Sequence, residues 1–119
     1  VWAQQAGVLL VVLSRTLFFY NDTYSRTHSF DTGAAVENLA LQGHAMGLVV
    51  HGMEGFDYER ARVVLEVPQE YTIEAMFVLG KPGPLSVLSE DLRKREMPSD
   101  RKPVDQFIFR GRFGRINEE

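Results

Sequence analysis

Residues 7–13 decide the fold, and they read Gly7-Val8-Leu9-Leu10-Val11-Val12-Leu13. The run is apolar without interruption and rich in branched side chains, which is typical of a central β-strand covered on both faces. It is far shorter than the roughly 20 residues that span a bilayer, and it lacks the cationic flank of a signal peptide. The sequence therefore predicts a buried strand in a sheet that is flanked by helices.

A helix is predicted over residues 31–47. Apolar and small side chains recur there at steps of three and four positions, as on one face of an α-helix. The residues of this face are Val36, Leu39, Ala40, Gly43, Met46 and Gly47. Asp31 or Thr32 is the candidate N-cap, and Gly47 can adopt the left-handed conformation that commonly ends a helix.

Three more elements are predicted farther along the chain. Asp57 is the candidate N-cap of a short helix that runs to about Leu65. Residues 72–79 start with period-two alternation and then become wholly apolar, as in a strand that enters a core. Residues 89–95 form another helical segment, with acidic residues first and basic residues last, which suits the helix dipole. Residues 14–30 show no clear periodicity and are predicted to be a surface excursion.

A strand is also predicted near the C-terminus, over residues 104–109, after a basic turn. A strand in that place has unpaired backbone groups and apolar side chains that need a neighbouring sheet edge. We therefore expect this segment to cross to a partner subunit.

The composition bounds the classes of function. A chain of 119 residues, of which 45% are hydrophobic and 24% charged, suits one globular domain with a modest core. The net charge of -3 gives no overall attraction to nucleic acid or to an anionic membrane, so neither is an expected partner. The sequence has no cysteine, which excludes disulfides, thiolate nucleophiles and cysteine-ligated metals and favours a cytoplasmic setting.

Most familiar catalytic motifs are missing from the sequence. His28, His44 and His51 do not have the spacing of zinc ligands, and ordinary surface or hydrogen-bonded histidines are favoured instead. No serine lies in a Gly-x-Ser-x-Gly elbow, and neither the Gly-x-Gly-x-x-Gly fingerprint nor a P-loop occurs. We therefore expect no metal site and no covalent hydrolysis, and any phosphate site must be built in another way.

Two short segments are candidate binding sites. In Gly52-Met53-Glu54-Gly55, the missing Cβ atoms of the glycines would let the backbone approach a flat ligand with its N–H groups. The alternative for this segment is a tight loop between two elements. Arg101-Lys102 lies on a turn between two prolines and offers charge-assisted donors to a phosphate group, although a solvated turn is the alternative.

Several segments, in their order and at their gaps, resemble the nitroreductase family. The resemblance covers nearly the whole chain, and it rests on the order of the segments more than on any single one. The segments are Asp31 through Gln42, Met46-Gly47-Leu48, Met53-Glu54-Gly55-Phe56, Val67 through Tyr71, Leu79 through Gly83, and Asp100 through Phe107.

The resemblance implies an α+β fold, namely a three-layer α-β-α sandwich with a mostly antiparallel sheet. Residues 1–119 would be the C-terminal part of a single nitroreductase-like domain. The resemblance also implies a homodimer with FMN at the subunit interface and NADH or NADPH as the source of hydride. A nitroaromatic, a quinone or a similar small molecule would be the electron acceptor, and the flavin would carry the chemistry.

The same resemblance implies roles for the two candidate segments. By position, Gly52, Met53, Glu54 and Gly55 match the family segment that lies against the isoalloxazine ring, where the backbone N–H of Glu54 approaches flavin N5. Arg101 and Lys102 match the basic pair near the phosphate.

Family members also carry a basic, serine-containing motif of the type Arg-Arg-Ser-x-Arg near their start, and a loop with serine or asparagine, both of which hold FMN. Neither is found ahead of Val1, so we expect a fold that is incomplete at the N-terminus. The leading hypothesis is the C-terminal part of an FMN-dependent NAD(P)H oxidoreductase. The alternative is a truncated, non-catalytic module for flavin binding or dimerisation.

Overall fold

The computed structural model describes residues 2–115, which fall into two compact units, residues 2–83 and residues 84–115. The first unit contains strands β1 (Val8–Arg15), β2 (Val49–Met53) and β3 (Tyr71–Gly80), and helices α1 (His28–Ala45) and α2 (Tyr58–Val64). A 3-10 helix, Trp2–Gln5, precedes β1. The second unit contains α3 (Glu90–Arg95) between two single-turn 3-10 helices, Leu85–Val87 and Val104–Gln106.

The sheet has the order β1-β3-β2, and both of its pairings are antiparallel. The two outer strands are therefore parallel to each other, and α1 makes the crossover between them. The prediction that residues 7–13 form a strand is confirmed, but the prediction of a central strand is wrong for the described sheet. β1 lies at an edge and leaves Leu9 56% exposed, while β3 lies in the middle. A continuous apolar run indicates that both faces of a strand pack against apolar groups. It does not indicate whether the strand lies in the middle or at the edge of the sheet.

Helices cover both faces of the sheet. α1 packs across β1 and β2, with Gly43 seated against the side chain of Val50. On the opposite face, Ala61 of α2 joins Val67 and Ile73 in the buried core, with Val11 and Met76 packed around them. The first unit is thus a three-layer α-β-α arrangement around an antiparallel sheet, as the resemblance implied.

Helix α1 starts earlier than predicted. Thr27, rather than Asp31 or Thr32, occupies the N-cap position, and it makes no side-chain capping bond there. Its hydroxyl donates instead to the carboxylate of Asp31 at 3.1 Å. The early start follows from the first turn, because Ser29 hydrogen-bonds to Glu74 of the sheet. The predicted end is confirmed, since Gly47 has a φ of +73° directly after the helix.

The other caps agree with the sequence. Asp57 accepts a hydrogen bond from the backbone N–H of Arg60 and so caps α2. Ser89 accepts from the backbone N–H of Leu92 and caps α3. β3 extends the predicted strand by one residue at each end. Within residues 2–115, no helix combines the length and the apolar character that a bilayer crossing requires.

The predicted strand at residues 104–109 is wrong. Pro103, with a φ of −53°, leads into a 3-10 turn in which Gln106 and Phe107 donate their backbone N–H groups to Pro103 and Val104. The turn satisfies locally the backbone groups that a strand would present to a neighbour. The apolar residues Phe107, Ile108 and Phe109 do not form a strand by themselves, and the described part of the second unit contains no strand with which they could pair.

Gly43 and Gly33 of α1 allow a matched test of the packing between α1 and the sheet. Gly43→Ala should lower the free energy of unfolding by about 1–3 kcal/mol, because the added methyl would overlap the side chain of Val50. Gly33→Ala adds a methyl with no described atom within 4 Å, and it should raise the free energy of unfolding by about 0.5–1 kcal/mol, the ordinary preference of a helix for alanine. Urea denaturation measures both variants, and two shifts of the same sign would contradict this packing.

Candidate functional site

The candidate segment 52–55 straddles the end of a strand. Gly52 and Met53 are the last residues of β2, where they pair with Phe77 and Met76 of β3. Glu54 and Gly55 form the short connection to α2. The alternative interpretation, a loop over the whole segment, is therefore wrong for Gly52 and Met53, because both residues belong to β2.

The two glycines of this segment differ in how much space surrounds them. A Cβ added at Gly52 would lie 2.9 Å from the ring of Phe77, so packing within the chain already favours glycine there. A Cβ added at Gly55 would meet no described atom within 4 Å, and Gly55 is not among the glycines with a positive φ. Neither the backbone conformation nor the described neighbours of Gly55 therefore require glycine.

Two backbone donors lie at the same place. The N–H groups of Glu54 and Gly55 form no hydrogen bond with another residue in the range 2–115, although Phe56 beside them donates to the carbonyl of Glu54. Both residues are exposed, so these N–H groups are open to water and to any acceptor that can replace it. This turn is thus able to donate to an acceptor on a ligand.

A cleft of about 500 Å³ opens beside these donors, a volume within the range of about 300–1,000 Å³ of small-molecule sites. Gly52, Met53 and Gly55 line it together with apolar side chains from the α2 face of the sheet. Those side chains are Leu9, Phe56 and Met76, which also border a neighbouring apolar cleft under α2. The cleft combines these apolar side chains with the backbone of Gly52 and Gly55 and with His51, an arrangement that suits a flat heteroaromatic ring.

The second candidate segment lies in the unit formed by residues 84–115. Arg101 and Lys102 are both exposed on the connection between α3 and the 3-10 helix at Val104–Gln106. The guanidinium of Arg101 donates to the carbonyl and to the hydroxyl of Ser99, at 3.0 and 2.9 Å. Lys102 forms no ion pair with any residue of the described chain. The two candidate segments therefore belong to different units of the chain.

A polar cluster around Glu74, in which only Ser14 is buried, was not predicted from the sequence. Its carboxylate accepts hydrogen bonds from Ser14 at 2.5 Å and from Ser29 at 2.6 Å, and it lies 3.7 Å from Nδ1 of His28. Ser14 Oγ also lies 2.8 Å from His28 Nδ1. Since a hydroxyl has one hydrogen and Ser14 gives it to Glu74, the network assigns the second bond as donated by His28. His28 is thus a hydrogen-bonded histidine, as favoured from the sequence.

Glu74 reaches these partners because the strand pairing is irregular beside it. Val12 pairs with Ala75 and Leu13 with Ile73, so Glu74 is an extra residue without a partner on β1. Such a bulge redirects a side chain. The only sequence signal is a charged residue inside a strand pattern, and three positions so far apart in the chain form no motif.

A serine, a histidine and a glutamate in contact invite comparison with a hydrolase triad, and the geometry argues against it. In such a triad the serine donates to the histidine, and the histidine donates to the acid. Ser14 donates directly to Glu74 and is only 2% exposed, so its oxygen cannot reach a substrate. The cluster joins β1, β3 and the start of α1.

Comparisons with known proteins give consistent matches. The family model of the nitroreductase family matches residues 1–81. An uncharacterized 15.4 kDa protein in the ask 5′ region of Mycolicibacterium smegmatis is 33% identical over 91 residues, which are 76% of this chain and 61% of that protein. A crystal structure of an oxidoreductase containing FMN is similar with a TM-score of 0.88 and 40% identity, over 96% of this chain and 59% of that chain.

A nitroreductase family protein from Clostridium difficile 630 has a TM-score of 0.57 at 15% identity, over 79% of this chain and 56% of that one. At that identity the likeness concerns the fold alone. This chain therefore spans only part of the length of its relatives, 61% of the protein from Mycolicibacterium smegmatis and 59% of the FMN-containing oxidoreductase.

Ser14→Ala tests whether the Glu74 cluster is structural. The change leaves His28 and Glu74 each short of a partner, so the free energy of unfolding should fall by about 1–3 kcal/mol. Ser86→Ala is the control, because Ser86 is exposed in the 3-10 helix Leu85–Val87, and it should change stability by less than about 0.5 kcal/mol. Thermal denaturation compares the two, and an unchanged Ser14→Ala midpoint would mean that the cluster does not hold α1 to the sheet.

Proposed function

The chain belongs to the nitroreductase family, and on that premise we propose that the whole protein is an FMN-dependent oxidoreductase. It passes hydride from NADH or NADPH through the flavin to a small-molecule acceptor such as a nitroaromatic or a quinone. The observation that carries the proposal is the turn at Glu54 and Gly55: Gly55, which no described neighbour requires to be glycine, lines an apolar cleft, and the backbone N–H groups of both residues have no partner among the described residues.

The residues of the cleft fit the flavin ring. Met53, Phe56 and Met76 supply apolar walls, and the absence of a Cβ at Gly55 leaves space for a flat ring against the backbone. The N–H groups of Glu54 and Gly55 would donate to ring heteroatoms, so the backbone, and not the Glu54 carboxylate, holds the ring. FMN, when bound, supplies the hydride and electron transfer that no side chain of this chain provides.

The phosphate of FMN is assigned to Arg101 and Lys102. Lys102 has no partner among the described residues, and Arg101 uses one of its two terminal nitrogens on Ser99. Both can therefore make charge-assisted bonds to a phosphate monoester. These bonds would offset its charge and add affinity that riboflavin, without a phosphate, could not gain.

A homodimer with FMN at the subunit interface is part of the same proposal. Exposed apolar side chains are frequent on α1 and near it, among them Phe30 and Leu41, and contiguous exposed apolar surface commonly marks an interface. We also place the protein in the cytoplasm, because a sequence without cysteine has no disulfide framework that would need an oxidising compartment.

An absorbance spectrum of the purified full-length protein tests the function directly. We expect flavin bands that bleach when NADPH or NADH is added without oxygen and that return when a quinone is added. A protein with no flavin bands would refute the proposal. Flavin bands that neither nicotinamide can bleach would favour the non-catalytic flavin-binding module instead.

Gly55→Val tests the backbone reading of the site. The new side chain would intrude on the bound ring, so FMN retention should fall by roughly tenfold or more, as when overpacking costs about 1–3 kcal/mol. The apoprotein should unfold as before, because no described atom lies within 4 Å of the added Cβ. Glu54→Gln keeps the backbone N–H and should retain FMN. Flavin content per protomer measures both variants, and the opposite pattern would assign the ring to the Glu54 side chain.

A further inference from the structure

Three arginines near the C-terminus are not used by the proposed flavin site. Arg110, Arg112 and Arg115 lie within six residues of one another, and residues 106–115 contain no aspartate or glutamate. All three are exposed, and none of their guanidinium groups donates to another residue of the described range. Three clustered guanidinium groups without a partner in the described range form a local positive patch that suits an anion.

The loop that presents them is held by its own backbone. Gly111 and Gly114 have φ values of +74° and +80°, a conformation that glycine adopts without strain. The backbone N–H of Arg112 donates to the carbonyl of Arg110 at 2.8 Å, that of Arg115 donates to Arg112 at 3.2 Å, and that of Arg110 donates to Arg115 at 3.4 Å. The three guanidinium groups are therefore carried on one tight loop that its own backbone bonds close.

An exposed ring accompanies these charges. Phe113 is 95% exposed, and it meets Phe109 edge-to-face with ring centroids 4.9 Å apart. An aromatic face among guanidinium groups suits a ligand that combines a flat base with a phosphate. A long polynucleotide fits less well, because it would extend past the loop along a chain whose net charge is -3.

We propose that residues 109–115 bind the 2′-phosphate end of NADPH and thereby make NADPH, rather than NADH, the preferred hydride donor. NADPH and NADH differ only in this phosphate monoester, which bears close to two negative charges at neutral pH. Guanidinium groups bind such a group through paired, charge-assisted hydrogen bonds, and the adenine beside it can stack on Phe113. The inference rests on the proposed function, since it names the co-substrate of the same reductase.

Titration calorimetry of the full-length protein with NADP⁺ and with NAD⁺ tests the assignment. Wild-type protein should bind NADP⁺ more tightly than NAD⁺. Combined substitution of Arg110, Arg112 and Arg115 by glutamine should weaken NADP⁺ binding by roughly tenfold or more, the effect of losing a charge-assisted hydrogen bond, and should remove the difference between the two nucleotides. Because binding is read without flavin reduction, the result stands apart from the flavin spectrum.

The matched control replaces three cations elsewhere in the same unit. Arg93, Lys94 and Arg95 end α3, and their combined change to glutamine removes the same charge. This control should bind NADP⁺ as the wild type does, and an equal loss would reduce the effect to net charge and overturn the proposal. Wild-type protein with equal affinity for both nucleotides would also overturn it. So would loss of FMN in the loop variant, since the phosphate bound there would then belong to the flavin.

Discussion

The pairing of β3 with both of its neighbours is the constraint on which the candidate site depends. β1 and β2 do not pair with each other, and each is held in the sheet through β3 alone. The last pairs of β2, Gly52 with Phe77 and Met53 with Met76, set where the chain leaves the sheet. Glu54 and Gly55, whose N–H groups have no partner within residues 2–115, follow immediately, so the central strand determines where this turn lies.

The same strand carries the Glu74 cluster, two residues before Met76. The bulge at Glu74 turns a carboxylate toward Ser14 of β1 and Ser29 of α1, and so connects the edge strand to the crossover helix. Such a hydrogen-bonded network favours one strand register, because a slipped register would separate Glu74 from the buried Ser14. The irregular pairing thus helps to specify the register on which the exit of β2 depends.

Most elements of the fold could be predicted, because their causes are local. Asp57, Ser89 and Gly47 act through hydrogen bonds or backbone angles within a turn of their own position. The failures concern long-range causes. The edge position of β1 depends on which strand pairs with it, and the early start of α1 depends on a contact between Ser29 and Glu74, 45 positions away. The strand predicted at 104–109 had the right residues but no neighbouring strand in the described unit.

The candidate site follows the same division. The order of the segments pointed to residues 52–55 as a candidate. It could not distinguish Gly52, where a side chain would contact the ring of Phe77, from Gly55, where a Cβ would meet no described atom within 4 Å. Net charge has the same limitation. A net charge of -3 means that the whole chain does not attract a polyanion at long range, but it says nothing about single phosphate groups at short range. Exposed charges are screened beyond about 8–10 Å at physiological ionic strength, so a phosphate responds to the few side chains that it touches. A weakly acidic chain and an arginine loop that binds a single phosphate are therefore compatible, because the loop acts well inside that distance.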